Sequence, residues 1–329
     1  MDQGSMRRGK FIYLGLPFLL LIAYLVWLPG PSINNLHIEG NLGYVADGYN
    51  FRIFNLTPDG IKTPLSSIGF NSTVKSFSID SNLAFVITRN GDVHIVNIQD
   101  PFNVQELANF STGGDPYSVV HRGGTAYIAD GPNGITIVNM SDPRQPSVVR
   151  SLPELGFVLD IDEEGGLLYV ARNEGGLGIL DTTNPFEPAV LTNYDAGGII
   201  NQISIQAIPN ADGNAPTIIG TLLVGNRTVQ LVDFSTSQQP AQLNSFDFGE
   251  EAVIDKAFIQ GNRMFASQRR DGIFISTIQE GDQLDPLSGT IAQRNTLDFA
   301  VMGETVFIAA GRGGLQSYNA RNLEDIYPV

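Results

Sequence analysis

An all-β chain built from one unit repeated seven times is what this sequence predicts, and three observations carry that expectation. The stretch Ala126–Pro143 reads as an apolar run, a glycine-rich turn, a second apolar run and a polar exit ending in proline, which is a β-hairpin with a defined stop. Its aromatic recurs along the chain as Tyr44, Phe85, Tyr127, Tyr169, Leu223, Phe265 and Phe307, at steps of 41, 42, 42, 54, 42 and 42. The 36 glycines and 18 prolines are spread between short apolar runs, and no long stretch of the repeats carries apolar residues at helical spacing. Four short strands per unit of about 40–45 residues define a seven-bladed β-propeller of four-stranded blades.

In chain order, residues 1–10 form a short basic tail with Arg7, Arg8 and Lys10 against Asp2. Phe11 to Leu28 follows without a charge; at 1.5 Å per residue it reaches about 27 Å, close to a hydrocarbon core of about 30 Å. The sequence therefore predicts one amino-terminal transmembrane helix, a signal anchor over 11–28, ahead of a linker over 29–33 and a propeller over 34–329. Basic residues before the span hold that end in the cytoplasm, and Tyr24 and Trp27 suit the far interface. The repeats are then extracytoplasmic, periplasmic or at the cell surface. The rival is a cleaved signal peptide, with Gly30-Pro31-Ser32 as its small-residue site, although cleavable apolar cores usually run about 7–15 residues.

The third copy sets the pattern of a blade: strand A near Tyr117–His121, B over Thr125–Asp130, C over Ile135–Met140 and D over Ser147–Leu152. Glycine and asparagine between them supply positive φ, and proline cannot donate to a ladder, so these positions end strands. The polar insertion Asn210–Pro216 predicts a longer A–B loop in blade five. Asn34–Glu39 supplies strand A of blade one and only Glu324–Val329 remains for strand D of blade seven, so the ring is expected to close without a shared blade.

The second apolar run reads Ile95-Val96-Asn97, Ile137-Val138-Asn139, Ile179-Leu180-Asp181 and Leu231-Val232-Asp233, with exits at Asp100-Pro101, Asp142-Pro143 and Asn184-Pro185. These residues resemble the LVIVD-repeat family of bacterial and archaeal surface proteins. The resemblance covers residues 34–329 and implies the propeller fold; the family has no single activity to carry over. Copies six and seven depart from it, with Ile275-Ser-Thr and Ser317-Tyr-Asn in place of the terminal Val-Asp.

A formal net charge of -15 repels polyphosphate backbones, which excludes nucleic acid as a partner class. Cysteine is absent, so thiolate metal sites and disulfides are excluded. His37, His94 and His121 fall in three different blades, and no nucleophile elbow or phosphate loop appears, so neither a catalytic set nor a metal set is expected. Two constellations remain. Asp160, Asp255 and Asp298 on strands A, with Asn35, Ser76 and Ser118 at the same place in other blades, predict a ring lining the central channel. That ring holds backbone amides and structural water, or, in an alternative reading as a hydrolase-type channel enzyme, a Ca²⁺ ion. Arg89, Arg172, Arg227, Arg269, Arg270 and Arg312 all fall in B–C turns and predict a basic set on one rim, suited to an anion or an acidic partner. The expected function is a membrane-anchored binding or scaffolding module with a protein or envelope component as partner, without a cofactor.

Overall fold

The computed structural model describes residues 33–60, 62–173, 176–209, 215–268, 270–278 and 289–329, and in them 28 strands form seven antiparallel four-stranded sheets in the order A-B-C-D. The blades span Ile33–Gly69, Val74–Ser111, Ser118–Leu152, Val158–Tyr194, Ile200–Asp247, Ile254–Ile291 and Asp298–Pro328. Among the described residues the one helical piece is a 3-10 turn, Pro153–Leu155, and no helix is long and apolar enough to cross a membrane. The predicted spanning segment, its basic tail and the linker up to residue 32 lie outside the described residues.

Each sheet is packed between two neighbours, so its inner strands bury both faces and lose the alternation of a one-sided strand. Strand B of blade three, Thr125–Ala129, is buried at every position, whereas strand D, Ser147–Leu152, is largely exposed. Seven apolar clusters fill the seven junctions between blades, the last joining Phe307 and Ala309 of blade seven to Ile33, Leu36 and Val45 of blade one.

Tyr44, Phe85, Tyr127, Tyr169, Phe265 and Phe307 are buried at equivalent places on strand B. In blade five the equivalent is Thr221 rather than Leu223: Thr221 pairs with Leu231 as Tyr169 pairs with Ile179 and Tyr127 with Ile137. Leu223 is also buried, and a slip of two residues keeps a strand side chain on the same face, so apolar pattern alone does not separate the two. The ring of Phe234 packs beside this place, edge-on to Tyr169 at 5.2 Å. Gly220 leaves the room: a Cβ there would sit 2.3 Å from Phe234 Cε2.

In blades two, three, four, five and seven the Asn or Asp that ends strand C closes an Asx turn. Asn139 Oδ1 accepts from the Ser141 amide at 2.9 Å, Asp181 Oδ1 from Thr183 at 2.7 Å, and Asn319 Oδ1 from Arg321 at 3.0 Å, so the degenerate seventh copy keeps the turn. The ring closes without a shared blade. Ile33 and Gly311 exchange two backbone hydrogen bonds of 3.1 Å, and strand D of blade seven is only Tyr327–Pro328. The long A–B connection of blade five joins Ile208 to Thr217, with 210–214 outside the described residues.

Candidate functional site in and around the central channel

Strands A wall the channel, and their register with strands B fixes which side chains point into it. Five strands A shift register in their first turn, between Ile33 and Asn35, Val74 and Ser76, Val158 and Asp160, Ile200 and Gln202, and Ile254 and Lys256. The residues immediately after the bulge, with Ser118 and Asp298 at the same place in blades three and seven, are Asn35, Ser76, Ser118, Asp160, Gln202, Lys256 and Asp298. Asp255 is therefore the bulged residue of blade six, one position before the equivalent one. All six predicted channel residues, Asn35, Ser76, Ser118, Asp160, Asp255 and Asp298, nevertheless border one cavity of about 300 Å³ at the mouth of the channel. Gln202 and Lys256 complete it, and both line a second cavity deeper in the channel. They escape sequence reading because their type differs from the short polar residues of the other blades; counting back from strand C would have found them.

These side chains work across the blade junctions. Asp160 Oδ2 accepts the Ile203 amide of blade five at 3.0 Å, and Gln202 Oε1 accepts the Ala257 amide of blade six at 2.8 Å. Lys256 Nζ donates to Asp298 Oδ1 of blade seven at 2.7 Å and to the Phe299 carbonyl at 3.1 Å. Asp298 Oδ2 then accepts the Leu36 amide of blade one at 2.8 Å, while its Oδ1 also takes the Phe299 amide at 2.7 Å. Ser76 Oγ donates to the Tyr117 carbonyl of blade three at 2.7 Å. Two residues further along the strand, Asp162 Oδ2 takes the Ile205 amide at 2.7 Å. The polar ring thus staples blade two to three, four to five, five to six, six to seven and seven to one, while Asn35 Oδ1 of blade one is buried without a hydrogen-bond partner among the described residues.

Burial dominates the electrostatics. It pushes the Asp160 carboxyl up to about 6 against the pull of the Ile203 amide, the Ser118 hydroxyl, the Ile161 amide and the Lys256 ammonium. It pushes Asp162 up to about 7, with Asp160 and Glu164 adding to the rise. His37, which borders both cavities and is exposed to the channel space, is pushed down to about 4 first by desolvation within the channel and second by the Lys256 ammonium. Carboxylates whose oxygens hold amides, beside an ammonium, make a poor seat for a divalent cation. Among the described residues no cluster of three His, Asp or Glu has metal-holding geometry.

The arginines lie elsewhere. Strand A begins, strand B ends and the B–C turn sits on one face of the disc; the A–B turns and C–D loops form the other. Arg89, Arg227, Arg270 and Arg312 are exposed on the first face, and Arg172 is half-buried there with Nη2 on Asn193 Oδ1 at 2.7 Å. Arg269 lies outside the described residues. Arg294, on the connection from blade six to blade seven, adds an exposed cation beside Arg270, and the two border one cavity. A search confined to B–C turns misses it. The set is spread around a rim rather than gathered into one pocket.

Seven sheets of this order around a stapled channel define a seven-bladed β-propeller. Within it the LVIVD-repeat model matches residues 113–152 and 156–196, which are blades three and four with the connections that lead into them, so the propeller carries LVIVD repeats at those two blades. No curated protein matches it. Among solved structures it is similar to the computationally designed Ika8 protein, at 12% identity and a TM-score of 0.61 over 90% of this chain and 87% of that one. A functionally unknown protein from Desulfotomaculum acetoxidans DSM 771 is similar at 13% identity and a TM-score of 0.63 over 88% and 99%. PorZ of Porphyromonas gingivalis, a surface component of its type-IX secretion system, matches at 14% identity and a TM-score of 0.61 over 91% of this chain, which spans 38% of PorZ.

Proposed function

We propose that this protein is a membrane-tethered, extracytoplasmic propeller that acts as a rigid binding scaffold for a protein or envelope component. The observation that carries the proposal is the staple ring. The polar groups best placed to form a reaction centre, Asp160, Gln202, Lys256 and Asp298, spend their hydrogen bonds on the backbone and side chains of neighbouring blades. A Ca²⁺-dependent hydrolase at the same place would need several oxygens converging at about 2.3–2.6 Å. It would have to take Asp298 from both Leu36 and Lys256, opening the ring it works in. The outer faces, by contrast, present side chains free for association. The tether is supported by the charge-free run 11–28 behind Arg7, Arg8 and Lys10.

The test is crosslinking in native membranes with the amino-terminal segment intact, run beside a Ca²⁺ titration of the melting temperature. The scaffold reading expects a discrete crosslinked partner that survives Asp160→Asn, and a melting temperature indifferent to millimolar Ca²⁺. A Ca²⁺-dependent rise in melting temperature that Asp160→Asn abolishes, together with hydrolytic turnover, would replace it with the enzyme.

A further inference from the structure

The chain that precedes Ile33 leaves the disc from one particular face. Strand A of blade one starts at Ile33, opposite Asp47 at the end of strand B, and Ile33 is bridged on its other side to Gly311 in the B–C turn of blade seven. The next residue in that turn is Arg312. Only residues 29–32 separate the apolar run from Ile33, and the five extended steps from Leu28 to Ile33 reach about 17 Å. If 11–28 spans a bilayer, the exit face cannot stand further than that from the membrane.

The two faces differ in charge in the sense this geometry requires. On the exit face Arg89, Arg227, Arg270, Arg294 and Arg312 are exposed. Of these, only Arg227 has an ion-pair partner among the described residues, Asp247 at 3.7 Å. They are set against the exposed Asp115, Glu154, Asp195, Asp247, Glu250, Glu251 and Asp271, five basic groups against seven acidic ones, so the face carries only a small acidic excess. On the opposite face Glu39, Asp59, Asp100, Asp142, Glu187, Glu304, Glu324 and Asp325 meet Arg122, Arg144 and Arg321 among the exposed described residues, eight acidic groups against three basic ones. The exit face also carries three exposed apolar side chains: Tyr49 at 58%, Val253 at 48% and Ile199 at 43%. Arginine forks match phosphate oxygens, and tyrosine with small aliphatics suits the headgroup boundary.

We infer that the arginine-bearing exit face lies against the bilayer, with Arg89, Arg270, Arg294 and Arg312 on lipid phosphates and Tyr49, Ile199 and Val253 at the headgroup boundary. The acidic face is held outward by like-charge repulsion. This rests on the tethered reading and names the anion its arginines meet. It also assigns the acidic A–B and C–D face to the partner.

The experiment uses the full chain in vesicles of phosphatidylcholine alone or with 30% phosphatidylglycerol, a composition chosen to vary headgroup charge. The absence of cysteine lets Tyr49→Cys and Phe102→Cys each carry a single fluorophore, one on either face. A headgroup-attached quencher should quench the label at 49 and spare the label at 102. Each basic residue near an anionic surface contributes a factor of about five in apposition, so the difference should grow several-fold with phosphatidylglycerol. Arg89→Ser, Arg270→Ser, Arg294→Ser and Arg312→Ser together should remove that growth while the melting temperature holds. Equal quenching at both labels in vesicle-bound protein, or no response to phosphatidylglycerol, overturns the proposal and leaves the tether standing. Protein that does not float with vesicles, or begins near Ile33 by mass, overturns the tether, and the proposal with it.

Discussion

Asp298→Ala is the perturbation that bears most directly on how the ring is held. The carboxylate joins blade six, through Lys256, and blade one, through the Leu36 amide, to its own strand at Phe299. Removing it leaves two amide donors without acceptors, at about 1–3 kcal/mol each, and strips Lys256 of its carboxylate partner. Together the loss should be about 3–5 kcal/mol, the range for breaking a buried pair by deleting one partner. Asp298→Asn keeps one acceptor oxygen and should lose about 1–2 kcal/mol. At about 2 °C per kcal/mol for a domain of this size, the alanine variant should melt about 6–10 °C lower. Thermal loss of far-ultraviolet dichroism on the full chain in detergent measures this, with Glu304→Ala as an exposed control that should not move. A fall of under about 2 °C for Asp298→Ala would refute the staple account and return the carboxylate to the candidates for chemistry.

Phe265→Ala should cost about 3–5 kcal/mol in chemical denaturation, whereas Tyr49→Ala, on an exposed turn, should stay within about 0.5 kcal/mol. Asp160 and Asp162 titrate near 6 and 7 in the folded chain, above their ordinary value of 3.8, so the stability they contribute is complete below that value and lost as pH rises through 6 to 7. His37, held near 4 against 6.5, acts with the opposite sign, its contribution being present above 6.5 and lost as pH falls toward 4. The double variant Asp160→Asn, Asp162→Asn should therefore flatten the decline between about pH 4 and 7 and expose the rise due to His37, read as melting temperature against pH. A protease added outside the cytoplasm should cut the repeats while Arg7, Arg8 and Lys10 stay protected; repeats cut only after the cytoplasm is opened would invert the topology. Arg269→Ser with Arg270→Ser should weaken binding of the rim's partner and flatten its salt dependence while shifting the melting temperature by less than about 2 °C, since exposed charges govern association more than folding.

The ring of blades was legible because repetition multiplies a weak signal: one apolar run could be many things, but seven in phase leave a propeller. Where residues lay on strands or in turns also came through, since glycine, asparagine and proline punctuate each unit in the same order. Register was the harder quantity. A slip of two residues is invisible to a period of two, which is how Leu223 stands in for Thr221. A bulge shifts the count by one where no residue type announces it, which is how Asp255 stands in for Lys256. The channel chemistry followed from that. With Lys256 and Gln202 absent, the ring reads as three carboxylates that could hold a cation; with them present, it is a chain of donors and acceptors passed from blade to blade. The arginine turns were placed on one face by topology alone, but their relation to the point where the chain enters the disc needed the pairing of Ile33 with Gly311.

That pairing also decides how the disc carries a load. Tension applied through the residues ahead of Ile33 pulls strand A of blade one along its own axis. The ladder from Asn35↔Ala46 to Glu39↔Leu42, the bridge to Gly311 and the Asp298 contact to Leu36 are then loaded together in shear instead of being peeled open one after another. The seam between the two ends of the chain is thereby also the place best arranged to resist being pulled apart.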